Sequence, residues 1–239
     1  MIVPIFYGLV VAHIIVGVVG LISFWGVVFM PKGGADHRAW GFRFAYAMLA
    51  TGAVAILVSF CSLADPLAAH KDFTDPNLAR GLFGWMMLYL ALLTLGLGWH
   101  ALAAVRLKAD HARHRNPFGV GLQVATVAAA VNCAAQGVSL GQPLMIGIAT
   151  IGVASGGLTL WFIALSQPNR TAFVLEHIRS GVGAGISAYT AFLSVGLVRA
   201  FPEHAFNPAV WAAPTLFGVG LILFHQLRVR RMAAPRAAT

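Results

Sequence analysis

Histidines lie within or beside long apolar stretches of this 239-residue chain, where ionisable side chains are uncommon. Four of them, His37, His100, His177 and His225, occur at similar distances from the ends of separate stretches. Neutral imidazoles on different helices in apolar surroundings are typical ligands of haem b iron, or of a zinc, copper or iron ion. We therefore expect these four residues to form a haem or transition-metal site. His100 and His177 are the first pair to consider as the two ligands of a haem.

An acid and a guanidinium accompany one of these histidines in the stretch AFVLEHIRSGVGAGISAYTAF (172–192). Glu176 is the only acid inside an apolar stretch. Its spacing predicts either a simple ion pair with Arg179 at the membrane surface or a role towards an imidazole N–H or a mobile proton. If Glu176 orients a ligand, we expect Arg179 to face lipid head groups or a haem propionate.

A further group of polar residues occupies the opposite ends of the apolar stretches. His13 lies about three turns from the start of the first stretch, and Asn132 and Gln136 lie at a comparable depth, one turn apart. Either a hydrogen-bonded structural contact or a second, outer ligand site would explain these residues. The remaining histidines fall in predicted loops, where we expect them to be solvated or without a special role: His70, His111, His114 and His204.

The elements that would position these residues are membrane helices. The chain is 59% hydrophobic and only 10% charged, whereas soluble domains carry about 25% charged residues. Each of seven apolar stretches approaches or exceeds the roughly 20 residues that cross a bilayer. They span about 3–30, 41–63, 79–105, 118–139, 143–166, 173–200 and 208–228. We therefore expect an all-α integral membrane bundle of seven transmembrane helices in a single domain, 1–239, whose longest connection (64–80) has room for a short turn at the membrane surface.

The basic residues predict how this bundle is oriented. All but three of the 16 Lys and Arg residues lie in or near the connections after the first, third and fifth stretches or near the C-terminus; the exceptions are Lys71, Arg80 and Arg199. The positive-inside bias then places the N-terminus outside and the C-terminus in the cytoplasm, as expected for a protein of a bacterial inner membrane. The net charge of +9 reflects this topology and does not indicate nucleic-acid binding. The expected partners are the lipid bilayer and either another membrane protein or further copies of this chain.

Three segments resemble the bacterial membrane proteins grouped as domain-of-unknown-function (DUF) family 2306. They are AHIIVGVVGLISF (12–24), KGGADHRAWGFRFAYAMLATGAVAILVSF (32–60) and EHIRSGVGAGISAYTAF (176–192). The positions that match the family pattern are His13, Gly17, Lys32, Gly33, His37, Arg38, Gly41, His177, Thr190, Ala191 and Phe192. The resemblance implies a polytopic membrane fold with functional histidines, and it implies no particular reaction.

Three classes of function remain open from the sequence. The first is a redox or cofactor-handling protein with a haem b or transition-metal site near the cytoplasmic side. The second is a zinc-dependent membrane hydrolase, for which Glu176 is the only well-placed general base. The third is a transporter or an accessory subunit of a larger membrane complex. Covalent c-type haem is excluded because the chain has no CxxCH motif, and a retinal Schiff base is disfavoured because no lysine lies inside an apolar stretch.

Overall fold

The computed structural model describes residues 2–107, 110–196 and 208–233, and their regular structure is entirely helical. This confirms the predicted all-α class. Several residues named above lie outside the described ranges: Arg199, His204 and residues 197–200 of the sixth apolar stretch. The helices are α1 (Ile2–Phe29), α2 (Ala35–Ala64), α3 (Pro66–Ala69), α4 (Pro76–Ala79), α5 (Met87–Leu107), α6 (Pro117–Ser139), α7 (Pro143–Ala164), α8 (Arg170–Gly196) and α9 (Pro208–Ala233).

Two further helical segments connect these elements. A π-helical segment, Arg80–Met86, joins α4 directly to α5, and a 3₁₀-helix, His111–Arg115, precedes α6. The start of α6 illustrates how local sequence sets a boundary. The side chain of Asn116 accepts a hydrogen bond of 2.7 Å from the backbone N–H of Gly119, and Pro117 occupies the first helical position, where no N–H is needed.

Six helical segments of the described chain are long and apolar enough to cross a membrane: α1, α2, the continuous segment Pro76–Leu107, α6, α7 and α9. The predicted helix at 173–200 is present as α8, which has 27 residues. It is not among these six because charged side chains occupy its first turns and small polar residues follow. Six of the seven predicted spans therefore have the required length and composition, and α8 does not meet the same standard of apolarity.

α5 occupies the centre of the bundle. It packs against α2, α6 and α8, while α1 packs on α2, α7 on α6, and α9 on α8. In the most apolar window of each segment, 61% of the residues of Pro76–Leu107 are buried, compared with 11% for α1 and 17% for α9. Side chains of α5 therefore face other parts of the protein, whereas α1 and α9 present apolar surfaces suited to lipid.

Polar contacts hold α5 to its neighbours inside this apolar bundle. Thr94 and Ser187 share a hydrogen bond of 2.5 Å between α5 and α8, and the hydroxyl of Tyr89 donates to the carbonyl oxygen of Ile148 on α7 at 2.8 Å. Tyr89 is fully buried, and it fits because Gly152 has no side chain: a Cβ there would lie 2.3 Å from the tyrosine ring. Such contacts fix the rotation of α5 and hence the directions of its functional side chains.

Candidate functional site

A pocket of about 900 Å³ lies at one end of the bundle, between α1, α2, α5, α8 and α9. It is enclosed by the last turns of α1, α5 and α9 and the first turns of α2 and α8. These are the ends that the basic residues predict to face the cytoplasm. Most of the wall is apolar, with contributions from all five helices: Phe24, Phe44, Leu102, Val182 and Leu221.

Three of the four histidines predicted to converge, His37, His177 and His225, line this pocket. The Nδ1 atom of His37 lies 3.1 Å from the carbonyl oxygen of Val27, and the Nδ1 atom of His177 lies 3.3 Å from that of Ala101. A carbonyl oxygen only accepts hydrogen bonds, so each contact requires the proton on Nδ1 and leaves the lone pair of the neutral ring on Nε2. The two ring centroids are 6.5 Å apart.

Positive charge collects at one side of the pocket. Lys32, Arg38 and Arg228 belong to its lining, and the described lining residues include no Asp or Glu. The ammonium group of Lys32 donates to the carbonyl oxygens of Val27 at 2.9 Å and Val28 at 2.6 Å. Partial burial lowers the pKa of Lys32, and repulsion by Arg228 lowers it further. An anion placed between these cations would relieve that repulsion.

The fourth histidine does not join the other three. His100 is 3% exposed, and its Nε2 atom lies 3.1 Å from Oε2 of Glu176 on α8. The predicted convergence of four imidazoles is therefore wrong for His100. Its depth along the bundle matches the prediction, but successive residues of an α-helix are turned by about 100°. Ala101 lines the pocket, so the preceding residue faces elsewhere.

Glu176 and Arg179 form an ion pair, as the three-residue spacing predicted, and their side chains are only 13% and 14% exposed. The Nη2 atom of Arg179 lies 2.6 Å from Oε2 of Glu176 and its Nε atom lies 3.1 Å from Oε1. Arg179 also donates to the carbonyl oxygen of Ser155 at 3.3 Å and to the hydroxyl of Thr159 at 2.8 Å, both on α7. The prediction that Arg179 faces lipid head groups or a propionate is wrong, because its donors bind within α8 and on α7.

His111 and His114 are buried, which contradicts the prediction that water solvates them. They are 9% and 2% exposed. In a 3₁₀-helix, side chains three residues apart point the same way, so both rings turn into the bundle end while Arg113 and Arg115 stay exposed. Ring centroids are 5.8 Å apart between His111 and His114, and 6.1 Å between His114 and His100. The H-x-x-H spacing of His111 and His114 was the sequence signal for this arrangement. The charged residues around it favoured the interpretation as a solvated loop.

The residues predicted for an outer site are on separate parts of the bundle. His13 on α1 lies against the backbone of Thr51 on α2. Asn132 and Gln136 are on α6, which packs against α5 and α7, whereas α1 packs chiefly against α2. The structure therefore does not show a contact that would make these three residues one site.

His70 lies at the end of the bundle that is predicted to face outside, and it has contacts that its position in a loop did not predict. Its Nε2 atom lies 2.9 Å from the hydroxyl of Ser62, and its ring stacks on Phe83 with centroids 3.9 Å apart. Burial lowers the pKa of His70 to about 4, although Asp72 acts in the opposite direction.

Within residues 2–107, 110–196 and 208–233, no three His, Cys, Asp or Glu side chains are arranged to hold a metal ion. The chain matches no protein-family model, no curated protein and no solved structure among those with which it was compared. The resemblance to DUF family 2306 and the haem or metal site both stay predictions.

Proposed function

We propose that the pocket binds haem b, with His37 and His177 as the two iron ligands, and that the protein serves in electron transfer or haem handling. The observation that carries this proposal is the pair of imidazoles whose Nδ1 atoms are engaged by backbone carbonyl oxygens. This contact orients a histidine towards a metal through Nε2 and raises its basicity. The proposed pair of ligands differs from the pair first considered from the sequence, because His37 takes the place of His100.

The dimensions of the pocket support this assignment. Its volume of about 900 Å³ falls within the range of about 300–1,000 Å³ found for cofactor sites. Two metal–nitrogen bonds of about 2.0 Å, with about 1.1 Å from each nitrogen to its ring centroid, would separate the centroids of two opposed ligand rings by roughly 6.2 Å. The observed separation of 6.5 Å between the His37 and His177 centroids is close to this value.

The distribution of charge in the pocket also supports haem binding. A haem has an apolar macrocycle and two carboxylates on one edge, and the pocket has an apolar wall and a cluster of three cations. Lys32 uses two of its three N–H donors on carbonyl oxygens, which leaves one for a carboxylate. Arg228 and Lys32 repel each other in the free pocket, so a propionate between them would lower the energy of both. His225 is on the same side and would contact the edge of the ligand.

The test is to purify the protein from cells supplied with haem and to record its absorption spectrum and haem content. We expect one haem per chain in the wild type and in His100→Gln, and none in His37→Ala or His177→Ala. His100→Gln is the matched control, since it changes a histidine at the same depth that faces away from the pocket. A wild-type protein that contains an anionic lipid instead of haem would refute the assignment, as would loss of haem in His100→Gln alone.

We further propose that α8 crosses the membrane with the other six helices, with the N-terminus outside and the C-terminus in the cytoplasm of a bacterial inner membrane. The length of α8, 27 residues, corresponds to about 40 Å. It packs against both α5 and α9, and the opposite charges of Glu176 and Arg179 lie in contact, which reduces the cost of placing them at membrane depth.

Reporter fusions test this topology. Fusions at Arg113 and after Ala233 are expected to be active on the cytoplasmic side, and a fusion at Asp72 on the outside. An even number of spans would place the two termini on the same side. A fusion after Ala233 that is active only outside would therefore contradict the seven-span proposal.

A further inference from the structure

Three buried imidazoles form a row outside the haem pocket. The row begins at His111 on the 3₁₀-helix, continues through His114 and ends at His100 on α5, with ring centroids 5.8 and 6.1 Å apart. Phe162 lies against all three rings, at centroid distances of 5.3 to 5.8 Å. With about 1.1 Å from each ring nitrogen to its centroid, nitrogens of neighbouring rings come no closer than about 3.6–3.9 Å, which is too far for a direct hydrogen bond and leaves room for a bridging water.

The outer end of the row has unused hydrogen-bonding capacity. Both ring nitrogens of His111 are buried and have no hydrogen-bond partner among the described residues. Buried polar atoms in proteins are almost always satisfied by protein or by ordered water. His111 is adjacent to Ala112 and Arg113, which are exposed, so water has a short route to this ring.

At the inner end of the row, a carboxylate lies where it would stabilise a positively charged imidazole. His100 contacts the carboxylate of Glu176 at 3.1 Å, and Arg179 lies behind that carboxylate at 2.6 Å. The titratable or charged groups placed against His100 are therefore Glu176 from α8 and His114 from the 3₁₀-helix, while α7 contributes the uncharged Phe162. A carboxylate within hydrogen-bond distance stabilises an imidazolium.

We propose that His111, His114 and His100 form a proton path from the aqueous surface at the 3₁₀-helix to a proton-binding site at His100. Water protonates His111, and an N–H of that imidazolium passes a proton through a bridging water to an unprotonated nitrogen of His114. His114 passes a proton in the same way to His100, which remains as an imidazolium hydrogen-bonded to Glu176. The net change is one proton lost by water and one gained by His100, with no bond between heavy atoms formed or broken. Glu176 remains a carboxylate throughout.

The experiment follows each ring by NMR of the protein with ¹⁵N-labelled histidine in lipid nanodiscs, with assignments from single His→Gln variants. We expect the ring proton of His100 to exchange with water in the wild type. His114→Phe should slow this exchange by about a hundredfold, the typical effect of losing a positioned proton-transfer group. His70→Phe, at the opposite end of the bundle, is the control and should leave the exchange rate unchanged.

The outer ring provides a second variant if His114→Phe does not fold. His111→Phe should slow proton exchange at His100 in the same way. A His100 ring proton that does not exchange with water in the wild type would overturn the proposal. Unchanged exchange in His111→Phe or His114→Phe would also overturn it. Because the measurement needs no haem, it fails or succeeds independently of the function proposed for the pocket.

Discussion

Glu176→Gln removes the negative charge of the largely buried ion pair between Glu176 and Arg179 and keeps the shape of the side chain. The carboxylate accepts three hydrogen bonds: two from Arg179, at 2.6 and 3.1 Å, and one at 3.1 Å from His100. An amide in its place would leave the guanidinium of Arg179 without a counter-ion where its side chain is only 14% exposed. This substitution therefore tests whether the pair stabilises the contact between α5, α7 and α8.

The expected loss follows from the burial of both groups. Removing one partner of a buried ion pair costs about 3–5 kcal/mol. In this variant Arg179 keeps its hydrogen bonds to Ser155 and Thr159, and the side-chain oxygen of the glutamine can still accept a hydrogen bond. We therefore expect a loss of unfolding free energy near the lower limit, about 3 kcal/mol. Arg179→Gln should cost a similar amount, since it leaves a buried carboxylate with only His100 as partner.

The assay is reversible unfolding in mixed micelles, followed by circular dichroism, for the two single variants and the double variant. We expect the cost of the double variant to be smaller than the sum of the single costs by about 2–3 kcal/mol, because residues in direct contact are energetically coupled. Arg113→Gln, which changes an exposed arginine, is the control and should stay within about 0.5 kcal/mol of the wild type. A cost below about 1 kcal/mol for Glu176→Gln, or additive costs, would refute the reasoning.

Two further predictions concern other parts of the bundle. Burial lowers the pKa of His70 to about 4, below the value of about 6.5 in an unfolded chain, so protons bind preferentially to the unfolded state between these limits. The free energy of unfolding should therefore fall as the pH drops from about 6.5 towards 4, and His70→Phe should weaken this dependence; equal stability of the wild type at pH 7 and 5 would contradict it. Gly152→Ala would place a Cβ 2.3 Å from the ring of Tyr89 and should cost about 1–3 kcal/mol in thermal unfolding. Gly157→Ala, on the same helix with no atom within 4 Å of the new Cβ, should be neutral or stabilising by up to about 1 kcal/mol, and equal losses in both variants would exclude a steric cause.

The positions of the helices could be predicted because length and apolarity determine them directly. The stretches at 118–139 and 143–166 correspond to Pro117–Ser139 and Pro143–Ala164, each with a proline at its first position. α2 begins at Ala35, earlier than the predicted 41, because its polar first turns continue the helix beyond the apolar stretch. A hydropathy pattern marks the part of a helix suited to the membrane core, and the helix itself extends further.

The candidate site could be predicted only in part, because depth and direction have different causes. Depth follows from sequence position, and it correctly placed His37, His177 and His225 at the same end of the bundle. Direction depends on how α5 is rotated against its neighbours, and that rotation is set by distant contacts such as the one between Thr94 and Ser187. No local pattern therefore indicates that His100 faces Glu176 instead of the pocket.

The lengths of α1 and α2 connect the pocket to the thickness of the membrane. These helices have 28 and 30 residues, or about 42–45 Å, whereas the hydrocarbon core of a bilayer is about 30 Å thick. The surplus of about 12–15 Å brings the end of α1, the start of α2 with His37, and the connection with Lys32 into the head-group layer or beyond it. Lipid phosphates are then neighbours of the cationic side of the pocket. In a thicker bilayer this side would lie deeper, and an anionic ligand arriving from water would have to pass more of the head-group layer to reach it.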